Sequence, residues 1–347
     1  MSSSLSQNIL VVHVAGLGQT ILALPALRAL RQHLPDARIT IATSTSAADL
    51  IRLADCADEV LPVGRLRGAE VLAPRSAYRS SKTLGEIKRG YYDLAIELQR
   101  NTEAGVLLQL AQPRERLDRR RNTLSHGLSL VIERATQRLA NLPAKLTHDA
   151  HAYLQRLEPL GVRPLEAEPR LSTDRDADAR LERLLTKHGV QSGELLIGIH
   201  PGAGRKKPRW DFEHFVNLAA RLHHNFNARL LVFAGRSERG LARRLVSELP
   251  GKSALAFESA KLLDVVSAMA RLSLFAGNHS GPAHLAAAAG APVVVISPHP
   301  EATAQDVLGT RQIHLRAPHI SMITEEAVYH AACQLLQSNR ASVLSTR

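Results

Sequence analysis

The sequence predicts an α/β fold made of two doubly wound parallel sheets. Short, nearly continuous apolar runs rich in β-branched residues alternate with segments of helical periodicity, once near the N-terminus and again after residue 190. Such runs are typical of parallel strands that helices cover on both faces. The length of 347 residues suits about two domains of roughly 150 residues each.

The first alternating series occupies the N-terminal third. Its predicted strands are Ile9–Val14, Ile39–Ala42 and Leu94–Leu98, and its predicted helices are Thr20–His33, Ala47–Asp55 and Ala104–Leu110. Residues 113–190 are expected to be mostly helical, most clearly at Ala150–Leu160 and Ala177–His188. The proline-containing stretch Gly161–Arg170 between these two helices is the expected linker.

The second series predicts another doubly wound unit. Its strands are expected at Leu195–Ile199, Leu230–Ala234, Ala254–Phe257, Leu272–Phe275 and Pro292–Ile296. Its helices are expected at Phe212–His224, Glu238–Leu249, Leu262–Ala270 and Pro282–Ala289. Ligands bind at the carboxyl ends of the strands in such open sheets.

Composition excludes several classes of protein. An apolar content of 45% argues against disorder, and an aromatic content of 3% disfavours stacking platforms for single-stranded nucleic acid. Cys56 and Cys333 are too few for a disulfide framework. Because no apolar run is long enough to span a bilayer and the N-terminus lacks a basic signal region, we expect a cytoplasmic protein.

Positive charge is concentrated in residues 61–147. The chain carries a net charge of +12, and this segment has 16 lysines and arginines against eight acidic residues, most densely at Arg114, Arg116, Arg119, Arg120 and Arg121. Two interpretations are open, a solvated basic surface or a docking face for an anionic partner. Candidate partners of the second kind are nucleic acid, a phosphorylated lipid and an anionic membrane surface.

Three strand-to-helix loops contain residues suited to binding anions. The turn Ala15–Thr20 has Gly16 and Gly18, but Ile21 stands where a dinucleotide fingerprint would have its third glycine. The loop His200–Trp210 combines small residues with four cations, Lys206 and Lys207 among them. Backbone N–H groups beside lysine and arginine are typical of phosphate sites.

The third loop, Gly277–Leu285, predicts a diphosphate site. Ser280 and Gly281 are expected at the N-terminus of a helix, where N–H groups are free to bind an anion. Pro282 suits the first helical turn, and His284 lies in that turn. A structural role for His284 is the alternative.

Four motifs together resemble glycosyltransferase family 9, the ADP-heptose:lipopolysaccharide heptosyltransferases. They are Val11–Leu30 with LPALRAL, YYDLAIELQ at Tyr91–Gln99, HPGAG…RW…EHF at His200–Phe215, and NHSGPAHLAAAAGAPVV at Asn278–Val294. The resemblance implies a GT-B fold of two Rossmann-like domains that face each other across a cleft. It implies an acceptor domain at 1–165, a nucleotide-sugar domain at 171–320, and a C-terminal helix within 321–347, at Glu325–Gln337, that crosses back to the first domain.

The resemblance also implies an inverting sugar transfer without a metal or other cofactor. The donor, expected to be ADP-heptose, would be bound by Lys206, Lys207, Glu238, His279, Ser280, Gly281 and His284, with Glu238 on the ribose. The acceptor, an anionic glycolipid or glycan of lipopolysaccharide type, would contact Gly18, Arg119, Arg120 and Arg121. Peripheral contact with the inner face of the cytoplasmic membrane is also expected, and nucleic acid is not.

This sequence departs from the family at several of these positions. Gln19 replaces the aspartate taken as the catalytic base, and His279 replaces the aspartate of the diphosphate motif. Pro208 replaces a lysine. The base could then be His13 or Glu97, and a carboxylate buried without a partner would have a raised pKa that suits a base.

Three hypotheses therefore remain open at the level of sequence. The first is a sugar transferase of heptosyltransferase type, including one with a different donor or acceptor. The second, motivated by Gln19, is a catalytically impaired family member that acts as a binding or regulatory subunit. The third, motivated by the net charge, is an unrelated nucleotide- or nucleic-acid-binding α/β protein.

Overall fold

The structure is a computed structural model. It describes residues 8–64, 74–99, 101–118, 123–126, 148–163, 168–203, 208–235, 238, 240–259 and 261–345. The chain divides into two compact units, Met1–Ala167 and Glu168–Arg347.

The first unit is built around a mostly parallel sheet. Its strands are β1 (Asn8–His13), β2 (Arg38–Ser44), β3 (Glu59–Val63), β4 (Leu94–Glu97), β5 (Glu115–Asp118) and β6 (Thr123–His126). Its helices are α1 (Leu17–His33), α2 (Ala48–Leu53), α3 (Pro74–Arg89), α4 (Thr102–Ala111) and α5 (Asp149–Gln155). The strand order is β3–β2–β1–β4–β5–β6, with only the β5–β6 pair antiparallel. Strands β1 and β4 are central and almost fully buried, because helices cover both of their faces.

The second unit repeats this plan. Its strands are β7 (Leu196–His200), β8 (Arg229–Phe233), β9 (Ala254–Phe257), β10 (Leu274–Asn278), β11 (Val293–Ser297) and β12 (Gln312–Arg316). Its helices are α6 (Arg175–Lys187), α7 (Phe212–Phe226), α8 (Leu241–Ser247), α9 (Leu262–Ala270), α10 (Gly281–Ala288) and α11 (Glu325–Ser345). The described strands are parallel, in the order β12–β11–β10–β7–β8–β9.

An apolar cluster packs against one face of the sheet of the second unit. It contains Trp210 and Phe215 together with aliphatic side chains of β7, β8, β10 and β11. The helix α11 adds Val328 and Ala332 to the same cluster. Its described side chains therefore pack on the second unit, and its predicted return to the first domain stays a prediction.

The predicted α/β class with two doubly wound sheets is confirmed. The central strands β1, β4 and β7 lie within one residue of their predicted bounds, whereas β10 ends three residues later than predicted. The expectation that residues 113–190 are mostly helical was wrong for β5 and β6. The helix predicted at Ala150–Leu160 ends at Gln155 and is followed by a separate 3₁₀ turn at Glu158–Leu160. The helix predicted from Glu238 begins at Leu241, so that Glu238 lies in the preceding loop.

Candidate functional site

The second unit has one point where its strand order reverses, between β7 and β10. These two strands are neighbours although β8 and β9 intervene in the chain. Loops leaving such a pair run to opposite faces of the sheet and open a crevice, which is where open α/β sheets bind ligands. Strand β7 ends at His200 and β10 at Asn278, so two of the three predicted anion-binding loops begin here.

The side chain of Asn278 joins these two loops by hydrogen bonds. Its side chain, 1% exposed, accepts a hydrogen bond from the Trp210 N–H at 2.9 Å and donates to the carbonyls of Pro201 and Gly202, both at 3.1 Å. The Trp210 indole in turn donates to the Ile323 carbonyl at 2.7 Å. The loops after β7 and β10 are therefore one hydrogen-bonded assembly.

The N-terminus of α10 is open to an anion. Ser280 is the N-cap residue, yet its hydroxyl makes no capping hydrogen bond, and the first turn contains no acidic residue. In this turn Pro282 has no N–H, and the Ala283 N–H donates to the Ser280 carbonyl at 3.1 Å. The Gly281 N–H is therefore the group that the turn offers to an anion, and the helix dipole favours negative charge there. Gly281 and His284 lie in the same turn, with His284 buried.

His279 belongs to a group of histidines beside this helix. Its ring lies 5.6 Å from that of His284 and 6.4 Å from that of His299. A ring nitrogen of His279 lies 2.9 Å from the Gln305 carbonyl oxygen, which positions the side chain. Three imidazole rings thus lie together at the position where the sequence resemblance predicted an aspartate.

The buried carboxylate of Glu238 contacts three other residues of the second unit. Its Oε1 accepts from the Ala203 N–H at 2.9 Å and lies 3.2 Å from Arg209 Nη2, while its Oε2 lies 3.4 Å from His200 Nε2. A Cβ at Gly202 would come within 2.1 Å of Glu238 Oε2, so only glycine allows this approach. The carboxylate thus holds the loop after β7, a role that sequence reasoning did not predict. Its predicted contact with the ribose stays a prediction.

The first unit has an equivalent reversal between β1 and β4. His13 ends β1 and Glu97 ends β4, whose register pairs Val12 with Glu97. Gly18 and Gln19 lie in the first turn of α1, which contains no acidic residue and whose N-cap, Gly16, offers no side chain. The structure therefore brings both candidate bases, His13 and Glu97, to the carboxyl ends of two adjacent strands, with Gln19 in the helix that follows β1.

His13 is fully buried and is a weak base. Burial, with a contribution from the nearby positive charge of Arg156, lowers its pKa to about 3 against an opposing effect of the Gln19 backbone. The Tyr153 ring packs edge-on against the imidazole at 5.3 Å. At neutral pH the ring is uncharged, and its low pKa leaves little driving force to take a proton.

Glu97 is buried, 4% exposed, but it has a partner. Arg116 Nη2 lies 3.3 Å from its Oε2. The premise of a buried carboxylate without a partner was therefore wrong, because a guanidinium balances the charge. Arg114, the other described member of the arginine-rich run, lies 3.3 Å from Asp93. The remaining candidates Arg119, Arg120 and Arg121, and the donor candidates Lys206 and Lys207, lie outside the described residues.

No three His, Cys, Asp or Glu side chains among the described residues lie together so as to hold a metal ion. None of the described helices is both long enough and apolar enough to cross a membrane.

Several solved structures with the same architecture are glycosyltransferases. The chain matches a glycosyl transferase family 9 structure from Veillonella parvula DSM 2008 with a TM-score of 0.78 and 21% identity, over 96% of this chain and 98% of that one. It matches E. coli ADP-heptose lps heptosyltransferase II with a TM-score of 0.71 and 17% identity, over 96% and 99%. A third match is E. coli heptosyltransferase WaaC with ADP, with a TM-score of 0.69, 20% identity and the same coverage. The fold is thus that of the GT-B glycosyltransferases.

Comparison of sequences identifies the family of glycosyltransferases to which the chain belongs. Lipopolysaccharide heptosyltransferase 3 of Escherichia coli (strain K12) is 24% identical over 289 residues, which cover 80% of this chain and 78% of that protein. The model of glycosyltransferase family 9 (heptosyltransferase) matches residues 81–326, and the chain belongs to this family. The protein is accordingly a glycosyltransferase.

Proposed function

We propose that this enzyme transfers a heptose from ADP-heptose to an anionic glycan of lipopolysaccharide-core type, with inversion at the anomeric carbon. The observation that carries the proposal is the open N-terminus of α10, with Ser280 and Gly281, at the strand-order reversal of the second unit. Relatives named for heptosyl transfer to lipopolysaccharide, and one structure with ADP, support the choice of donor.

The donor diphosphate binds to the second unit. Ser280, Gly281, His279 and His284 contact its oxygens, with Lys206 and Lys207 supplying positive charge, and Glu238 accepts from the ribose. As the bond between the anomeric carbon and the diphosphate breaks, charge accumulates on the departing oxygen. Helix N–H groups and cations stabilise that charge without a metal ion.

The acceptor binds to the first unit at Gly18. A base removes the proton of the acceptor hydroxyl, whose oxygen attacks the anomeric carbon from the face opposite the diphosphate, and ADP leaves. Gln19 hydrogen-bonds a sugar, while Glu97 takes the proton. Arg119, Arg120 and Arg121 contact the anionic acceptor at the inner face of the cytoplasmic membrane.

Nucleotide binding tests the donor site directly. ADP at millimolar concentration should raise the melting temperature in a concentration-dependent way, more than GDP or UDP does, because a ligand that binds only the native state stabilises it. Hydrogen exchange should slow at residues 199–203 and 277–288, and not at β1 or β4. Absence of a shift with all three nucleotides would overturn the site assignment.

One observation favours a second function. The first turn of α1 contains no acidic residue, because glutamine stands at position 19. A family member without its base would bind donor and acceptor as a regulatory subunit without turnover. Release of ADP from ADP-heptose, measured with and without purified lipopolysaccharide core, separates the two, since a binding subunit gives no release in either reaction.

A further inference from the structure

Arg209 is the positively charged residue of the loop after β7 within the described part of the chain. Its main chain is restrained on both sides. The ring of Pro208 fixes the backbone angle φ of that residue, and the Trp210 N–H donates to the Asn278 side chain at 2.9 Å. Asn278 ends β10, and α10 begins three residues later. The main chain of Arg209 therefore lies beside the end of β10, in the crevice at the strand-order reversal.

A buried carboxylate orients the guanidinium of Arg209. Arg209 Nη2 lies 3.2 Å from Glu238 Oε1, which also accepts from the Ala203 N–H at 2.9 Å. The Glu238 side chain is 4% exposed and that of Arg209 is 40% exposed, so the ion pair has its positive partner on the solvent side. A guanidinium has five N–H groups in a plane and can bind two anions at once. An anion that enters the crevice therefore meets a cation that Glu238 has already positioned.

The N-terminus of α10 offers too few donors for a whole diphosphate. Its Gly281 N–H is available, whereas Pro282 has no N–H and the Ala283 N–H donates to the Ser280 carbonyl. The Ser280 hydroxyl is a second donor, although it also makes a long contact of 3.4 Å to His200 Nδ1. Two donors suit one phosphate group. The other phosphate needs a further partner, and arginine is well suited because its planar N–H groups match phosphate oxygens.

We propose that Arg209 binds the phosphate attached to the ribose, while Ser280 and Gly281 bind the phosphate attached to the transferred sugar. This inference rests on the proposed function, which places the ribose at Glu238 and the diphosphate at the N-terminus of α10. Because Arg209 contacts Glu238, the phosphate next to the ribose is the one within its reach. Glu238 is then a positioning residue for that phosphate as well as a ligand of the ribose.

The test measures the dissociation constants of adenosine, AMP and ADP by calorimetry. AMP has only the phosphate that is assigned to Arg209. Arg209→Gln should therefore weaken AMP and ADP by a similar factor of about tenfold or more, and adenosine by less than about twofold, because a charge-assisted hydrogen bond to phosphate is lost. Ser280→Ala should weaken ADP by at least about threefold and leave AMP unchanged, because AMP lacks the phosphate that the hydroxyl binds.

Two controls separate phosphate binding from other effects of Arg209. Arg271→Gln removes the same charge from an exposed ion pair with Glu182 and should leave the affinities for all three ligands unchanged. The second control adds Arg209→Gln to the Glu238→Gln variant, in which no buried carboxylate needs a balancing charge. A further loss of ADP affinity in this double variant then comes from the phosphate contact itself, and we expect that loss.

Several outcomes would overturn the inference and leave the proposed function intact. They are an unchanged affinity in Arg209→Gln, an equal loss for adenosine, AMP and ADP, a loss confined to ADP, or no further loss in the double variant. A wild type that binds AMP no better than adenosine would do the same. If Arg209→Gln does not fold, Ser280→Ala decides, since equal losses for AMP and ADP contradict the division of the two phosphates. Failure of the wild type to bind ADP at millimolar concentration overturns the inference and the proposed function together.

Discussion

At the scale of single residues, the identity of the base is decided by charge. Gln19 lies in the first turn of α1, where the helix dipole would stabilise a carboxylate and nothing acidic is present. His13 has a pKa of about 3 and Glu97 is paired with Arg116. A carboxylate introduced at position 19 therefore meets a favourable field.

We expect Gln19→Asp to raise kcat by at least about tenfold, since a well-placed general base contributes roughly 10²–10⁴-fold. Steady-state transfer from ADP-heptose measures it, with Gln19→Asn as the uncharged control of similar size. Glu97→Gln and His13→Ala complete the set. A wild-type turnover that Gln19→Asp leaves unchanged and Glu97→Gln lowers by tenfold or more would identify Glu97 as the base instead.

The buried imidazole of His13 also predicts acid sensitivity. Its pKa is about 6.5 in the unfolded chain and about 3 in the folded one, so the unfolded state binds the extra proton between these values. Stability is therefore complete above about pH 6.5 and falls as the pH falls, by about 2 kcal/mol at pH 5.

Urea unfolding at pH 7 and pH 5 tests whether the free energy of unfolding falls with the pH. His13→Leu removes the titrating group, so its free energy of unfolding should fall less between the two pH values than that of the wild type. His151→Leu changes an exposed histidine of the same unit and should keep the wild-type difference. A loss in His13→Leu equal to or steeper than that of the wild type would contradict the assigned pKa.

At the scale of structural elements, the site depends on how two loops are joined. Asn278 alone supplies three hydrogen bonds that join the loop after β7 to the end of β10. Removing its amide leaves the Trp210 N–H and two carbonyls buried without these partners. We expect Asn278→Ala to lower the free energy of unfolding by about 2–4 kcal/mol, at roughly 1 kcal/mol or more per buried hydrogen bond.

The same variant should weaken ADP binding by more than tenfold, because the loops that present Ser280 and Ala203 lose their common support. Asn225→Ala is the matched control, since that amide makes an exposed hydrogen bond to the Tyr329 hydroxyl, and it should cost less than about 0.5 kcal/mol. Equal losses of stability in the two variants would show that the Asn278 hydrogen bonds do not stabilise the two loops.

Elements differ in how clearly their sequences identify them. Central strands such as β1 and β7 are buried on both faces and appear as continuous apolar runs. Strands not predicted lie at or near the sheet edges. Pro62 interrupts β3, charged residues make up most of β5, and half-buried β12 alternates polar with apolar side chains. Edge strands tolerate proline and charge, which removes the pattern that identifies a strand.

Only part of the candidate site, as with the strands, could be predicted from the sequence. The loops and the residues at strand ends follow from motif and topology, because parallel strands bring their carboxyl ends to one edge. The Glu238–His200–Ser280 contacts and the Asn278 hydrogen bonds depend on side-chain direction between distant segments. The sequence around each residue does not predict such contacts. The local sign of them is Gly202, because a Cβ at that position would clash with the Glu238 carboxylate.

At the scale of the whole molecule, positive charge is concentrated in one segment of the chain. Residues 61–147 contribute a net +8 of the total +12. Arg114 and Arg116 pair with carboxylates of their own unit, which leaves Arg119, Arg120 and Arg121 as the part of the run proposed to meet an anionic acceptor. Each lysine or arginine near an anionic lipid surface contributes about 1 kcal/mol, and salt screens it over roughly 10 Å at 0.1 M.

Reversing Arg119, Arg120 and Arg121 to glutamate should therefore lower co-sedimentation with vesicles containing phosphatidylglycerol by at least about tenfold at low salt. The difference should shrink at 0.5 M salt. Reversing Arg183, Lys187 and Lys252, which are exposed on the second unit, changes the net charge equally and should have a much smaller effect. If both triple variants lose binding to the same extent, net charge alone attracts the protein to the vesicles and the 61–147 segment has no docking role.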